Sequence, residues 1–365
     1  MSALLGAIRH NPLLWLLVFV PAVFAAEVLA PEAHTLLFLL SVLAIVPLAA
    51  LLSQATESVA AKTGDAVGGL LNATLGNLTE LVIAMTALRA GQFLLVKASV
   101  AGAIVANTLF MLGAAFLLGG LKFHTQEFNR VSARLQASLL FLATVALLIP
   151  SAVREADGGA GATFLETLSL GLSVLLIVAY GLGMVFSLKT HRELFAGSEH
   201  TGEEGEAPWP MGLALATLAG VTVIVALVSE VFVESVQQAA ETFGMSPAFV
   251  GFIVVAIVGA AAEMASAFAA ARKNRLDMAV GIALGSASQI ALFVAPVLVL
   301  LSYVIAPSPM NLQFWPGAVV MMLIAAMSAS LVTNSGRSAW FVGVLLLVVY
   351  TIFAMTLYML PPRVS

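Results

Sequence analysis

Two carboxylates stand in the middle of long apolar runs, Glu80 in Gly76-Asn77-Leu78-Thr79-Glu80-Leu81 and Glu263 in Gly259-Ala260-Ala261-Ala262-Glu263-Met264. An acid in hydrocarbon costs several kcal/mol unless it has a partner or a task, so a matched pair reads as a site. Facing carboxylates are hard oxygen donors, and calcium takes about six to eight such oxygens in flexible geometry. Two ionised acids in a low-dielectric site repel, so at least one holds a proton until a cation displaces it. Those are the two near-neutral loadings of such a site.

Neighbouring residues supply further oxygens. Asn77 is one helical turn before Glu80 on the same face, and Thr74 lies three residues further back. Beside Glu263, Ser266 takes the i+3 place and Gly259 the i−4 place, where a glycine leaves backbone carbonyls accessible. A second pair of polar elements falls in other apolar runs, Gly102-Ala103-Ile104-Val105-Ala106-Asn107 and Gly285-Ser286-Ala287-Ser288-Gln289-Ile290. Amides in hydrocarbon need partners, which makes Asn107, Ser286 and Gln289 candidate site-lining residues. Ordinary interhelical hydrogen bonding is the bland alternative for each. Glu57, Glu230 and Glu234 sit near the ends of apolar runs and are candidate entrance or gating acids. No resident cofactor is expected; calcium and protons are the expected occupants of the site.

The elements that must carry these residues are membrane helices. The chain of 365 residues is 61% hydrophobic and 9% charged, with a mean hydropathy of +1.07, whereas a soluble domain keeps about 25% charged residues. Apolar runs near twenty residues recur, and the ten-residue alternation of a barrel does not. The fold class is therefore all-α and polytopic. Eleven spans are expected, at about 12–30, 34–55, 64–89, 93–120, 130–151, 163–189, 209–230, 246–271, 276–305, 312–333 and 339–360. The first has only Arg9 before it and no convincing cleavage site, so it reads as a retained helix.

Basic residues test that count. With the N-terminus in the cytoplasm, Arg9, Lys62, Lys122, Arg130, Arg134, Lys189, Arg192, Arg272, Lys273, Arg275 and Arg337 fall inside, and only Arg89, Lys97, Arg154 and Arg363 fall outside. This predicts a cytoplasmic N-terminus and an external C-terminus, in a cell membrane of prokaryotic type. The absence of cysteine excludes thiolate metal sites and cysteine nucleophiles. Nucleic acid is not an expected partner; lipid is, and a homo-oligomer is left open.

Laid on itself at an offset of 183, the chain aligns Glu80 with Glu263, Gly76 with Gly259, Arg89 with Arg272, Gly102 with Gly285, and Leu109-Phe110 with Leu292-Phe293. Glu57-Ser58-Val59 meets Glu234-Ser235-Val236 after a six-residue shift. An internal duplication follows. The expected division is an extra N-terminal helix (1–33), a first five-helix repeat (34–189), an acidic cytoplasmic linker (190–208) and a second five-helix repeat (209–365). Five is odd, so the second copy enters the membrane from the opposite side. Inverted repeats with a site near the midplane are the architecture of secondary transporters.

Gly76-Asn77-Leu78-Thr79-Glu80-Leu81, preceded by Leu70-Leu71-Asn72-Ala73-Thr74-Leu75, closely resembles the first signature of the calcium/proton antiporters of the cation/calcium exchanger superfamily. Val250-Gly251-Phe252-Ile253 through Glu263, and Gly285-Ser286-Ala287-Ser288-Gln289-Ile290-Ala291-Leu292-Phe293, look like the second. The resemblance implies that Glu80 and Glu263 bind calcium and protons alternately, that Asn77, Ser286 and Gln289 line the site, and that the second and seventh helices move as gates. The chain departs from the familiar Gly-Asn-Ala-Ala-Glu-His at Ala260 and Met264, which remove an amide and an imidazole.

The expected function is exchange of cytoplasmic calcium for external protons by alternating access, without enzymatic activity. A sodium-coupled exchanger of the same superfamily is the nearest rival. An intramembrane hydrolase built on a carboxylate dyad and a passive cation channel are more remote.

Overall fold

The structure is a computed structural model that describes residues 6–9, 11–156, 161–191 and 208–359. Most of the acidic linker and the C-terminal Arg363 lie outside the described residues. Among the described residues the regular structure is helical apart from two three-residue strands.

Helix α1 (Pro12–Leu29) opens with a tight turn in which Asn11 accepts the Leu13 amide, and α2 (His34–Ala60) follows. The next expected span is interrupted. It forms α3 (Asp65–Leu75) and α4 (Leu78–Arg89), separated at Gly76-Asn77. Then come α5 (Phe93–Phe123), strand β1 (Thr125–Glu127), α6 (Arg130–Ala156), α7 (Thr163–Thr190) and α8 (Met211–Thr242). A second interrupted helix follows, α9 (Pro247–Gly259) and α10 (Ala261–Arg272), bent by 59°. Helices α11 (Leu276–Ile305) and α12 (Pro316–Thr333), strand β2 (Arg337–Ala339) and α13 (Trp340–Met359) complete the described chain.

Among the described residues, nine unbroken helices are long and apolar enough to cross a membrane, and the α9–α10 pair offers a tenth crossing. The difference from eleven lies at residues 64–89. Each half there is too short to span about 30 Å of hydrocarbon at 1.5 Å per residue. An averaged hydropathy window runs across the break without registering it.

Small residues bring the central helices together. A Cβ on Gly251 of α9 would lie 2.6 Å from Ala98 Cβ and 2.9 Å from the Leu95 carbonyl of α5, and one on Gly102 would fall on the backbone of Phe252. Helix α5 and α9 therefore touch backbone to backbone. Helices α2 and α8 pack along one another outside this centre, with Phe38 stacked on Phe232. Both α5 and α11 carry a π-helical turn at matching places, Ala106–Met111 and Ile290–Val294. Phe110 and Phe293 on those turns pack against Tyr350 and Tyr180 respectively, at 5.2 and 5.3 Å between ring centres.

Candidate cation site

The two helix interruptions create the site. Asn77 is the residue before α4, and its side chain leaves the helix end uncapped. That frees the amide for other partners, whereas an asparagine here ordinarily caps. Glu80 and Glu263 fall in the first turns of α4 and α10, where exposed backbone amides and the helix dipole favour negative charge. They are close enough to feel one another's charge.

A continuous side-chain network joins both halves. Asn77 Nδ2 donates to Gln289 Oε1. Ser286 Oγ donates to Asn77 Oδ1 at 2.8 Å and accepts from Asn107 Nδ2 at 2.8 Å. Asn77, Asn107 and Ser286 are buried, while Glu80, Glu263 and Gln289 are half-buried.

Two oxygens stand out. Glu80 Oε1 and Glu263 Oε2 are shielded from solvent and have no hydrogen-bond partner, and Asn107 Oδ1 shares that condition. An unpartnered buried carboxylate oxygen is too costly to persist without a proton or a cation. Among the described residues no group of three or more acidic, histidine or cysteine side chains could hold a metal. Any cation here is met by two carboxylates with amides and a hydroxyl, a donor set of hard oxygens that fits calcium.

Gly259 is required by this geometry. A Cβ there would lie 2.9 Å from Glu80 Cγ and 3.4 Å from Cδ, so the first carboxylate passes over the break in the second half. The two halves differ in chemistry. Ala260 and Met264 are buried apolar residues, so the second segment offers neither an amide nor an imidazole beside Glu263.

The structure thus brings together Glu80, Glu263, Asn77, Asn107, Ser286 and Gln289. Thr74 stays outside the network and donates to its own helix at the Leu70 carbonyl, 2.8 Å. The three entrance acids lie elsewhere. Glu57 accepts from Ser53 at 3.1 Å, Glu230 pairs with Arg89 at 3.6 Å, and Glu234 is exposed. The sequence reading missed Gln136 of α6, whose Oε1 is also shielded and unpartnered. A lone amide one turn from Ser132, near a helix start, gives no periodic signal.

The sequence pattern of the sodium/calcium exchanger protein family matches residues 33–189 and again 213–359. The chain belongs to this family. Among its relatives, the Ca(2+)/H(+) antiporter of Aphanothece halophytica is 40% identical over 338 residues, covering 89% of this chain and 90% of that protein. The Ca(2+)/H(+) antiporter ChaA of Bacillus subtilis (strain 168) is 41% identical over 327 residues, covering 89% and 92%. The solved structure of native YfkE superposes with a TM-score of 0.83 at 37% identity, over 96% of this chain and 100% of that one. The H+/Ca2+ exchanger CAX shares the fold, with a TM-score of 0.69 at 16% identity over 95% and 91%. Within the family the chain stands among the calcium/proton antiporters, the membership its two signature segments implied.

Proposed function

We propose that the protein exchanges calcium for protons across a membrane, with Glu80 and Glu263 as the shared ligands. The observation that carries this reading is the pair of shielded, unpartnered carboxylate oxygens at the two helix breaks. A divalent cation between them, or protons on them, relieves the same electrostatic cost, so one loading excludes the other. The named activities of the relatives agree with this reading.

Eleven crossings in two inverted five-helix repeats, with the N-terminus cytoplasmic, remain the best account of the topology. The Trp209 amide donates to Ser58 Oγ, which requires an even number of crossings between the ends of α2 and α8. Counting α3–α4 as one crossing gives four. Strand β1 pairs with β2, Thr125 opposite Ala339, and the six crossings between them are even only if α9–α10 counts as one. The family pattern matching once over each half, and the paired aromatic contacts at the two π-helical turns, support the duplication.

Alternating access draws support from an asymmetry between equivalent positions. Gly102 is pressed against Phe252. A Cβ on its counterpart Gly285 would meet only Gln136 Oε1, at 4.0 Å. Gly68, the counterpart of Gly251, rests instead on Ala60 of α2, and Gly69 on Leu188 of α7. In this state the α3 half stands off the face of α11 that α9 covers on α5, which by the basic-residue distribution is the cytoplasmic side.

The test is calcium-45 uptake into everted vesicles energised by a pH gradient. Uptake should collapse with a protonophore and in Glu80→Gln and Glu263→Gln. Uptake driven by sodium with no pH gradient would favour the sodium-coupled reading instead.

A further inference from the structure

Helix α11 runs from the cytoplasmic end of the molecule to the cation site, and one face of it is open. Asp277, Gly281, Gly285 and Gln289 recur at four-residue spacing, so they share a stripe. All four are half-buried, while Ile282, Ala283, Leu284 and Ser286 beside them are buried. The stripe runs twelve residue steps, about 18 Å at the helical rise, which is about the depth from a membrane surface to its midplane. Its inner end is Gln289, bonded to Asn77 of the site.

The opening is specific to this half. On α5 the equivalents of Gly281, Gly285 and Gln289 at an offset of 183 are Ala98, Gly102 and Ala106, all three buried, with Gly251 and Phe252 laid over the first two; Leu94, the equivalent of Asp277, is exposed. Two small side chains and a glycine are therefore covered on one helix, and two glycines and an amide are uncovered on the other.

Facing the outer part of the open stripe is a polar wall from α6. A cavity of about 10 Å³, room for one water, is lined by Asn129, Ser132, Gln136, Asp277 and Gly281 among others. Gln136 Nε2 donates to Ser132 Oγ at 3.4 Å, and the Gln136 carbonyl accepts from Ser288 at 3.4 Å. Its Oε1 is left without a partner, directed at the Cβ-less surface of Gly285. Asp277 supplies a carboxylate at the mouth and Gln136 an amide oxygen further in. Oxygen donors around a water-sized cavity suit a cation that exchanges part of its hydration shell for protein oxygens.

We propose that Asp277 and Gln136, with the Gly281–Gly285 groove, form a cytoplasmic vestibule site that takes calcium on its way to Glu80 and Glu263. The assignment rests on the exchange reading above, yet it makes demands of its own. Asp277 is a positioning residue: its negative charge raises the local cation concentration and does not take part in the exchange step. The two glycines leave free the space that side chains would fill.

The chain has no cysteine, so accessibility can be read from single substitutions. Gly285→Cys should react with a small, cationic, membrane-impermeant thiol reagent from the cytoplasmic face only, with calcium slowing the reaction, and Ala106→Cys should not react from either face. In everted vesicles Asp277→Asn should raise the calcium concentration for half-maximal uptake about three- to tenfold, with the saturated rate within about twofold, and Asp277→Glu should restore it. The proposal is overturned if Gly285→Cys is unreactive from the cytoplasmic face, if half-saturation is unchanged in Asp277→Asn, or if the saturated rate falls alike in Asp277→Asn and Asp277→Glu. Normal kinetics in Asp277→Asn alongside lost uptake in Glu80→Gln would sink the vestibule and leave the exchange reading standing. The labelling arm decides the matter even in a protein that transports no calcium.

Discussion

Gly259→Ala puts the packing of the two halves to a quantitative test. The added Cβ would sit 2.9 Å from Glu80 Cγ and 3.4 Å from Cδ, against a comfortable carbon–carbon separation of about 3.5–4.0 Å. Relief needs a shift of at least about 0.6 Å by that measure. The clash falls on a carbon near the root of the side chain, so Glu80 must change rotamer or the break between α9 and α10 must move. Overpacking of this kind costs about 1–3 kcal/mol. If the strain falls on the calcium-bound arrangement, calcium binding weakens about 5- to 150-fold, at 1.4 kcal/mol per decade. Calorimetric titration of the purified protein with calcium measures this directly. The cause is checked by a double-mutant cycle read in calcium-free thermal stability: once Glu80 is shortened in Glu80→Ala, Gly259→Ala should add little further loss. Calcium affinity within twofold of the parent in Gly259→Ala, or full additivity with Glu80→Ala, would refute the reasoning.

Other substitutions probe separate parts of the account. Gln289→Leu strips the Asn77 amide of its acceptor; a stranded buried donor costs about 1–3 kcal/mol, so calcium affinity should fall about tenfold while the protein still folds, as judged by its thermal transition. Gly102→Ala drives a methyl into Phe252 at the α5–α9 contact and should lower the melting temperature in detergent, with a loss of about 1–3 kcal/mol. Calcium titration in weak buffer should release protons, read with a pH-sensitive dye, and release fewer in Glu263→Gln, because cation and proton compete for one pair of carboxylates.

Much of the site was legible because polar residues in hydrocarbon have few innocent explanations. Glu80, Asn77, Asn107, Ser286 and Gln289 could be picked out by type and depth alone, and the offset of 183 joined Glu80 to Glu263. What hydropathy could not convey is where a span breaks. Gly76-Asn77 and Gly259-Ala260 read as small or polar residues within continuous runs, yet both interrupt their helices. The interruptions put each acid on a first helical turn. Thr74 illustrates the converse, since a hydroxyl in a helix can satisfy itself on its own backbone. Glu57, Glu230 and Glu234 were marked by charge at helix ends, where neighbours such as Ser53 and Arg89 are invisible to spacing. Gln136 and Asp277 escaped notice because their role depends on the packing of α6 against α11, a tertiary contact that neither helix's own pattern records.

The central claim is that one pair of carboxylates carries calcium and protons in turn. Its most direct test is simultaneous recording of lumenal calcium and pH in sodium-free proteoliposomes containing the purified protein. The account predicts that an imposed calcium gradient moves protons the opposite way, that an imposed pH gradient moves calcium, and that Glu80→Gln and Glu263→Gln each abolish both fluxes. Calcium movement with no opposing proton flux, or coupled exchange that persists in either glutamine variant, would contradict it.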